Sequence, residues 1–138
     1  MKSAMAMIFA TLFSADCYAE PDKAQYELQE RCGRRAGEVF KHDWPQPTVT
    51  DKNGVTVGNY VNHYNARLNK CFYLEVVTVA SSDKAVGPSH IQRLFDINEN
   101  RELGTFYQSD KSVGCDILGK HCSSIDEWGR LIRPYMNE

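Results

Sequence analysis

Cysteine is the residue type that most limits what this chain can fold into. The 138 residues contain five cysteines, an odd number that leaves one thiol unpaired if the whole chain enters an oxidising compartment. The first, Cys17, lies in a short N-terminal segment with the features of a cleavable leader. Its removal leaves an even set, which in a small exported domain predicts a disulfide framework: Cys32, Cys71, Cys115 and Cys122.

The N-terminal segment predicts export. Lys2 precedes an uncharged, largely apolar run over residues 4–13, and small residues lead up to Ala19. A positive start, an apolar stretch and a small-residue exit are the three parts of a secretory signal peptide. The run is too short for a stable membrane anchor, which needs about 20 residues. We therefore expect no integral membrane segment after cleavage.

These features set the domain boundaries. We expect residues 1–19 to be a signal peptide and residues 20–138 to form a single disulfide-stabilised domain that is periplasmic or secreted. A lipoprotein acylated at Cys17 is the alternative. Asp16 disfavours it, because the residue before a lipidated cysteine is normally small and uncharged.

Four cysteines allow three pairings. We favour Cys32–Cys71, which would tie an N-terminal helix to the central sheet, and Cys115–Cys122, where Gly119 lets the chain turn back. Structural zinc is the other use of such a set, but the chain has no C-x-x-C pair and its histidines are scattered. We therefore expect neither a metal nor a cofactor.

Helical spacing characterises both ends of the mature chain. Apolar or small residues recur at helical intervals from Asp22 to about Lys41, and the two prolines at 45 and 47 end this helix. Near the C-terminus, Ser124 and Glu127 form a capping-box pattern that opens a second helix. Pro134 is expected to end or bend that helix after one or two turns.

The middle of the chain predicts strands. Its strongest strand is residues 71–79, rich in aromatic and β-branched residues. Other β segments are predicted at 48–50 and 55–57 about an Asn-Gly turn, at 60–65, and in a hairpin of 91–97 with 102–108. Residues 115–122 are expected to form a loop closed by a disulfide. The fold predicted is α+β: an antiparallel sheet of about four to six strands covered by an N-terminal and a short C-terminal helix.

The densest polar and aromatic stretch runs from Tyr60 to Tyr73. Tyrosine and arginine are common anchors of protein interfaces, so one interpretation makes a contact surface of Tyr60, His63, Tyr64, Arg67 and Tyr73. The alternative, which we favour for His63, is structural: the imidazole and nearby asparagines hydrogen-bond a tight turn beside a disulfide.

Patterns typical of metal binding and catalysis are weak. Oxygen-bearing side chains alternate from Asp96 to Glu102 as in calcium loops, but Arg101 and Tyr107 stand where such loops need glycine and glutamate. The chain has no nucleophile-elbow, zincin or phosphate-loop motif. Ser89 and His90 are adjacent, so in an extended segment they point to opposite faces. A net charge of −2 gives no support to nucleic-acid binding.

Several short pieces of the chain resemble a group of small, uncharacterised exported bacterial proteins. The resemblance spans nearly the whole mature chain and is most specific in Asn62-His63-Tyr64-Asn65 and Leu68-Asn69-Lys70-Cys71-Phe72; it also includes Glu30-Arg31-Cys32-Gly33, Leu94-Phe95-Asp96-Ile97, and Cys115…Cys122…Glu127-Trp128. It implies export and a four-cysteine framework. It implies no activity and no site.

Taken together, the sequence favours an exported, non-catalytic domain that binds another protein, such as an inhibitor or an immunity-type factor in the cell envelope. Small size, crosslinks, aromatic residues and the lack of catalytic motifs support this hypothesis. The alternatives are a small envelope hydrolase that uses His63 and a structural protein of the cell envelope. A cleft holding His63 beside an Asp or Glu would favour the hydrolase.

Overall fold

Two helices flank a run of seven strands in the computed structural model, which describes residues 23–137. The predicted signal peptide, with Cys17, lies outside the described residues. None of the described helices is long and apolar enough to cross a membrane. In chain order the elements are α1 (Lys23–Asp43), β1 (Thr48–Asp51), β2 (Gly54–Asn65), β3 (Lys70–Ser81), β4 (Ser89–Asp96), β5 (Arg101–Ser109), β6 (Val113–Ile117), β7 (Lys120–Cys122) and α2 (Ile125–Met136).

The strands form one antiparallel sheet in which each strand pairs with its neighbours in the chain, in the order β1 to β7. This confirms the predicted α+β class and its two helices. The strand count is slightly above the predicted range because a β6–β7 hairpin takes the place of the expected loop at 115–122 and adds two strands. The segments predicted at 55–57 and 60–65 belong to one continuous strand, β2, which lowers the count by one.

The β6–β7 hairpin explains how a disulfide loop becomes part of the sheet. Leu118 and Gly119 link the strands with φ values of 51° and 79°, and positive φ at both central residues is the geometry of the two-residue turn that suits a twisted hairpin. Cys115 and Cys122 are directly opposite each other. Their disulfide, with Cα atoms 5.1 Å apart, therefore closes a strand pair.

The second disulfide joins the first helix to the centre of the sheet. Cys32 of α1 and Cys71 of β3 are both buried, and their Cα atoms are 5.4 Å apart, within the usual range for a disulfide. Both favoured pairings are therefore confirmed.

Side chains of β3 alternate between two hydrophobic clusters, one on each face of the sheet. The cluster under α1 contains Cys32, Ala36, Tyr64, Cys71, Tyr73 and Ile97. The cluster under α2 contains Phe72, Leu74, Leu94, Leu103, Phe106, Ile117 and Trp128. The helices thus cover opposite faces of the sheet: α1 lies over β2 and β3, and α2 runs on the other face from β5 to the end of β2.

Helix α2 begins as the capping pattern predicts, with one change. The hydroxyl of Ser124 accepts the Glu127 backbone N–H at 3.2 Å, whereas the Glu127 carboxylate accepts the backbone N–H of Ser123 at 2.7 Å and so reaches one residue further back than in a standard capping box. Of the two effects expected of Pro134, an end or a bend, the end is wrong, because the helix continues to Met136. Pro134 lies in the last turn, where the missing N–H costs one intrahelical hydrogen bond.

The connection from α1 to β1 lays Trp44 across the sheet. A Cβ atom on Gly58 of β2 would lie 2.4 Å from the indole ring, so only glycine permits this close approach. The indole Nε1–H donates to Glu75 Oε1 at 2.7 Å, and Arg93 donates to Oε2 at 2.5 Å. The nearly buried Glu75 carboxylate therefore has a donor for each oxygen.

Candidate functional site

The three tyrosines of the predicted contact surface lie on the α1 face of the sheet. Tyr73 is 1% exposed and Tyr64 is also buried. Tyr60 is half-buried, and its ring centroid lies 4.8 Å from that of Phe40 and 5.4 Å from that of Tyr73. Their rings pack the core beneath the first helix, so only Tyr60 keeps appreciable exposure.

His63 and Arg67 lie elsewhere. His63 is directly opposite Phe72 and so points to the α2 face; it lies in β2, not in the turn expected to hold it, which begins at Ala66. Arg67 is in that turn, and its guanidinium donates to the Pro134 carbonyl of α2 at 3.4 Å. The five residues are thus divided between two faces and a turn, and the structure does not bring them together into one surface.

The surroundings of His63 bear on the hydrolase alternative. Its Nε2 atom is buried and has no hydrogen-bond partner in the described part of the chain. None of the ion pairs or side-chain hydrogen bonds among residues 23–137 joins it to an Asp or Glu. It does not line the cavity described below.

His90 sits in a different polar chain. Trp128 Nε1–H donates to Gln92 Oε1 at 2.8 Å, which turns the Gln92 amino group towards His90 Nε2, also at 2.8 Å. The imidazole therefore accepts at Nε2. Ser89 points to the other face of the sheet, as its alternation with His90 predicts. Among the described residues, no three His, Cys, Asp or Glu side chains are grouped to hold a metal ion.

The most distinctive surface of the molecule is a part of the α2 face that neither helix covers. Helix α2 crosses the sheet from Phe106 on β5, where Trp128 stacks, to the end of β2, where Asn65 donates to the Pro134 carbonyl at 3.0 Å. Beyond that path lies a patch spread over three strands, which we call the open face: Thr48, Thr50, Val55, Val57, Asn59, Val61, Val76, Thr78 and Ala80. Val76 is its inner border, because it also packs against the cluster under α2.

Strand register brings the side chains of the open face together. Val57 lies opposite both Thr48 of β1 and Thr78 of β3, and Asn59 lies opposite Val76. Directly opposed residues share a face, so the patch is contiguous. None of its members carries a charge. Val57 and Val61 are 40% and 54% exposed, which makes the patch a solvent-facing sheet surface of valine and threonine.

The open face reaches an edge of the sheet. All four residues of β1, Thr48–Asp51, are exposed, and β1 pairs with β2 alone in the described sheet. Its outer backbone N–H and C=O groups are therefore available to another strand. Uncharged, solvent-facing surface and a free edge together are chemically suited to docking an extended, β-branched peptide segment.

Sequence reasoning missed the open face, although β2 carried a signal of it. Valines at 55, 57 and 61 alternate with Thr56, Gly58 and Tyr60, a period of two in which both sets of side chains are compatible with burial. In the structure, Trp44 and α1 cover the face that carries Gly58 and Tyr60. The valines point to the opposite face, where no helix covers them, and the sequence does not indicate which of the two faces is covered.

Comparison of the chain with known protein families, with curated proteins and with solved structures finds no match.

Proposed function

We propose that this protein is an exported, non-catalytic domain that binds another protein through the open face. The observation that carries the proposal is the contiguous, uncharged patch on β1, β2 and β3 beside a free strand edge. An exposed apolar patch next to a free edge is a typical site of protein association. An inhibitor or immunity-type factor of the cell envelope is the form of this function we favour.

The chemistry of the patch supports a protein partner over other ligands. A sheet surface of valine and threonine offers no charge to a polyanion. It offers apolar contact to side chains and, along Thr48–Asp51, backbone hydrogen bonds to an added strand. We therefore expect the partner to present an extended segment rich in β-branched or aromatic residues.

The disulfides and the leader sequence support export. Disulfides persist in oxidising compartments, and the pairs Cys32–Cys71 and Cys115–Cys122 use all four cysteines of the described chain. Crosslinks also lower the conformational entropy that the protein would lose on binding, because they hold the fold rigid before the partner docks. A periplasmic or secreted location is part of the proposal.

The test compares charge substitutions on and off the open face. Val57→Lys and Val61→Lys place an ammonium group within the patch. Val113→Lys makes the same change at β6, where Val113 is 41% exposed and outside the patch. Each purified variant is first compared with the wild type by circular dichroism and thermal melting, and then used to capture proteins from an envelope extract, with quantitative mass spectrometry as the readout.

We expect one envelope protein to be enriched by the wild type and by Val113→Lys. Its recovery should fall at least about tenfold with Val57→Lys and with Val61→Lys, since a buried unpaired charge costs well over 1.4 kcal/mol. Equal recovery by all four proteins, or no protein enriched by the wild type, would refute the proposal. Self-association of the wild type that Val61→Lys abolishes would show instead that the face binds a second copy.

A further inference from the structure

A cavity on the opposite side of the sheet suggests a separate binding site. It has a volume of about 280 Å³ and lies between α1 and the turns that follow β2 and β4. The Cys32–Cys71 disulfide forms part of its wall. Because Cys71 and Tyr64 point to the α1 face, the cavity and the open face are on different faces of the molecule.

Two arginines line the cavity from the helix. Arg31 and Arg35 are four residues apart in α1, so their side chains lie next to each other on one side of the helix. No ion pair within 4.0 Å involves either guanidinium among residues 23–137. Both guanidinium groups therefore retain their donors for a ligand.

Two asparagines on the facing turns add further donors. The Tyr64 hydroxyl donates to Asn69 Oδ1 at 2.6 Å, and the Cys71 backbone N–H donates to Asn98 Oδ1 at 2.7 Å. Each amide oxygen accepts a hydrogen bond from within the protein, and the amino group of each side chain can only donate. Both asparagines line the cavity.

Two acidic residues on this side of the molecule are paired with a lysine. Asp96 and Glu99 lie beside the same turn, and the Lys70 ammonium contacts them at 2.6 and 2.5 Å. The hydrogen bond to Asp96, and then that to Glu99, raises the pKa of Lys70, so the ammonium stays charged. No carboxylate lines the cavity, and its polar lining is dominated by donors and positive charge.

We propose that this cavity binds a small oxyanion, a ligand that carries a carboxylate or phosphate group. Two neighbouring guanidiniums and two amide amino groups match the acceptor oxygens of such a group, and charge-assisted, bidentate hydrogen bonds to arginine are the strongest of their kind. The disulfide fixes α1 against β3 at this point, so the donors on the helix and on the turns are held facing each other before the ligand arrives.

The test is isothermal titration calorimetry with inorganic phosphate and with succinate, each at constant ionic strength, with sodium chloride as the blank. We compare the wild type with the double variant Arg31→Gln/Arg35→Gln and with Arg34→Gln. Arg34 is exposed on the same helix but does not line the cavity, so its variant controls for the loss of one positive charge from α1.

We expect saturable binding of one probe or both. Binding of one probe alone would identify the group recognised as phosphate or as carboxylate. Affinity should fall at least about tenfold in the double variant, because it removes both of the charged groups that would donate to the ligand. Arg34→Gln should bind as the wild type does. Absence of saturable binding, a smaller loss in the double variant, or an equal loss in Arg34→Gln would overturn the proposal. Val61→Lys should bind the probe normally, so this test is independent of the open face.

Discussion

At the scale of single residues, Tyr73 combines burial with an unpartnered hydroxyl. The side chain is 1% exposed, and its oxygen has no hydrogen-bond partner among the described protein groups. Burial, followed by the negative charges of Glu75 and Asp43, raises the pKa of Tyr73 above its ordinary value of about 10. The folded protein therefore keeps this proton at a pH where the unfolded chain releases it.

This difference predicts how stability changes at alkaline pH. The contribution of Tyr73 to the free energy of unfolding is fully present below the pKa of the unfolded chain, about 10. It is lost as the pH rises above that value, by up to about 1.4 kcal/mol per pH unit. We expect Tyr73→Phe to lose less free energy of unfolding than the wild type between about pH 9 and pH 11. Urea denaturation at a series of pH values measures the free energy of unfolding of both proteins.

Tyr26→Phe is the matched control for this comparison, because Tyr26 is 64% exposed on α1. Its stability should follow the wild-type curve across the same pH range. If Tyr73→Phe also follows that curve, Tyr73 does not keep its proton in the folded state.

At the scale of elements, the start of α2 depends on reciprocal hydrogen bonds. Ser124 caps the helix through its hydroxyl, and Glu127 returns a bond to the backbone of Ser123. That backbone bond, with a second from the Ser123 hydroxyl, lowers the pKa of Glu127. The carboxylate therefore stays ionised at the positive end of the helix dipole.

We expect Ser124→Ala to lower the free energy of unfolding by about 1 kcal/mol, the usual cost of losing an N-cap hydroxyl. Ser123→Ala should cost less, since the backbone N–H that Glu127 accepts remains. Chemical denaturation of both variants gives the comparison. Equal losses would mean that the hydroxyl of Ser124 is not the effective cap.

Elements with strong local signals were predictable, and those set by an unusual backbone conformation were not. The aromatic and β-branched run at 71–79 lies within β3, and the spacing of the first helix matches α1. The β6–β7 hairpin needs a leucine, Leu118, at positive φ, a conformation that its residue type does not indicate. The predicted helix end at Pro134 was wrong because the effect of a proline depends on its distance from the helix end, which the sequence does not specify.

At the scale of the whole molecule, the two disulfides should differ in their contribution to stability. Cys32 and Cys71 are 39 residues apart, whereas Cys115 and Cys122 are 7 apart. Closing the longer loop removes more entropy from the unfolded chain, about 4 kcal/mol against about 2.5 kcal/mol on the chain-entropy model. We therefore expect the double serine variant of the first pair to be the less stable in urea denaturation. The reverse order would show that loop length does not govern these crosslinks.

The candidate site is a property of the whole molecule, and for that reason the sequence did not reveal it. Tyrosines at 60, 64 and 73 have the composition of an interface, but their strand positions turn them beneath α1. The open face exists because α2 passes over β5 and the far end of β2 and leaves the valines at 57 and 61 uncovered. The path of a helix across a sheet is set by long-range packing, which no local pattern encodes.

The order of the strands also has a kinetic consequence. Because each strand pairs with its chain neighbour, every β pairing can form by closing a short loop, and such local pairings carry a small entropic barrier. The contacts that span long stretches of chain are made by the helices, as when Asn65 binds the carbonyl of Pro134. The sheet can thus assemble hairpin by hairpin, and the slowest search falls to the docking of α1 and α2 on its two faces.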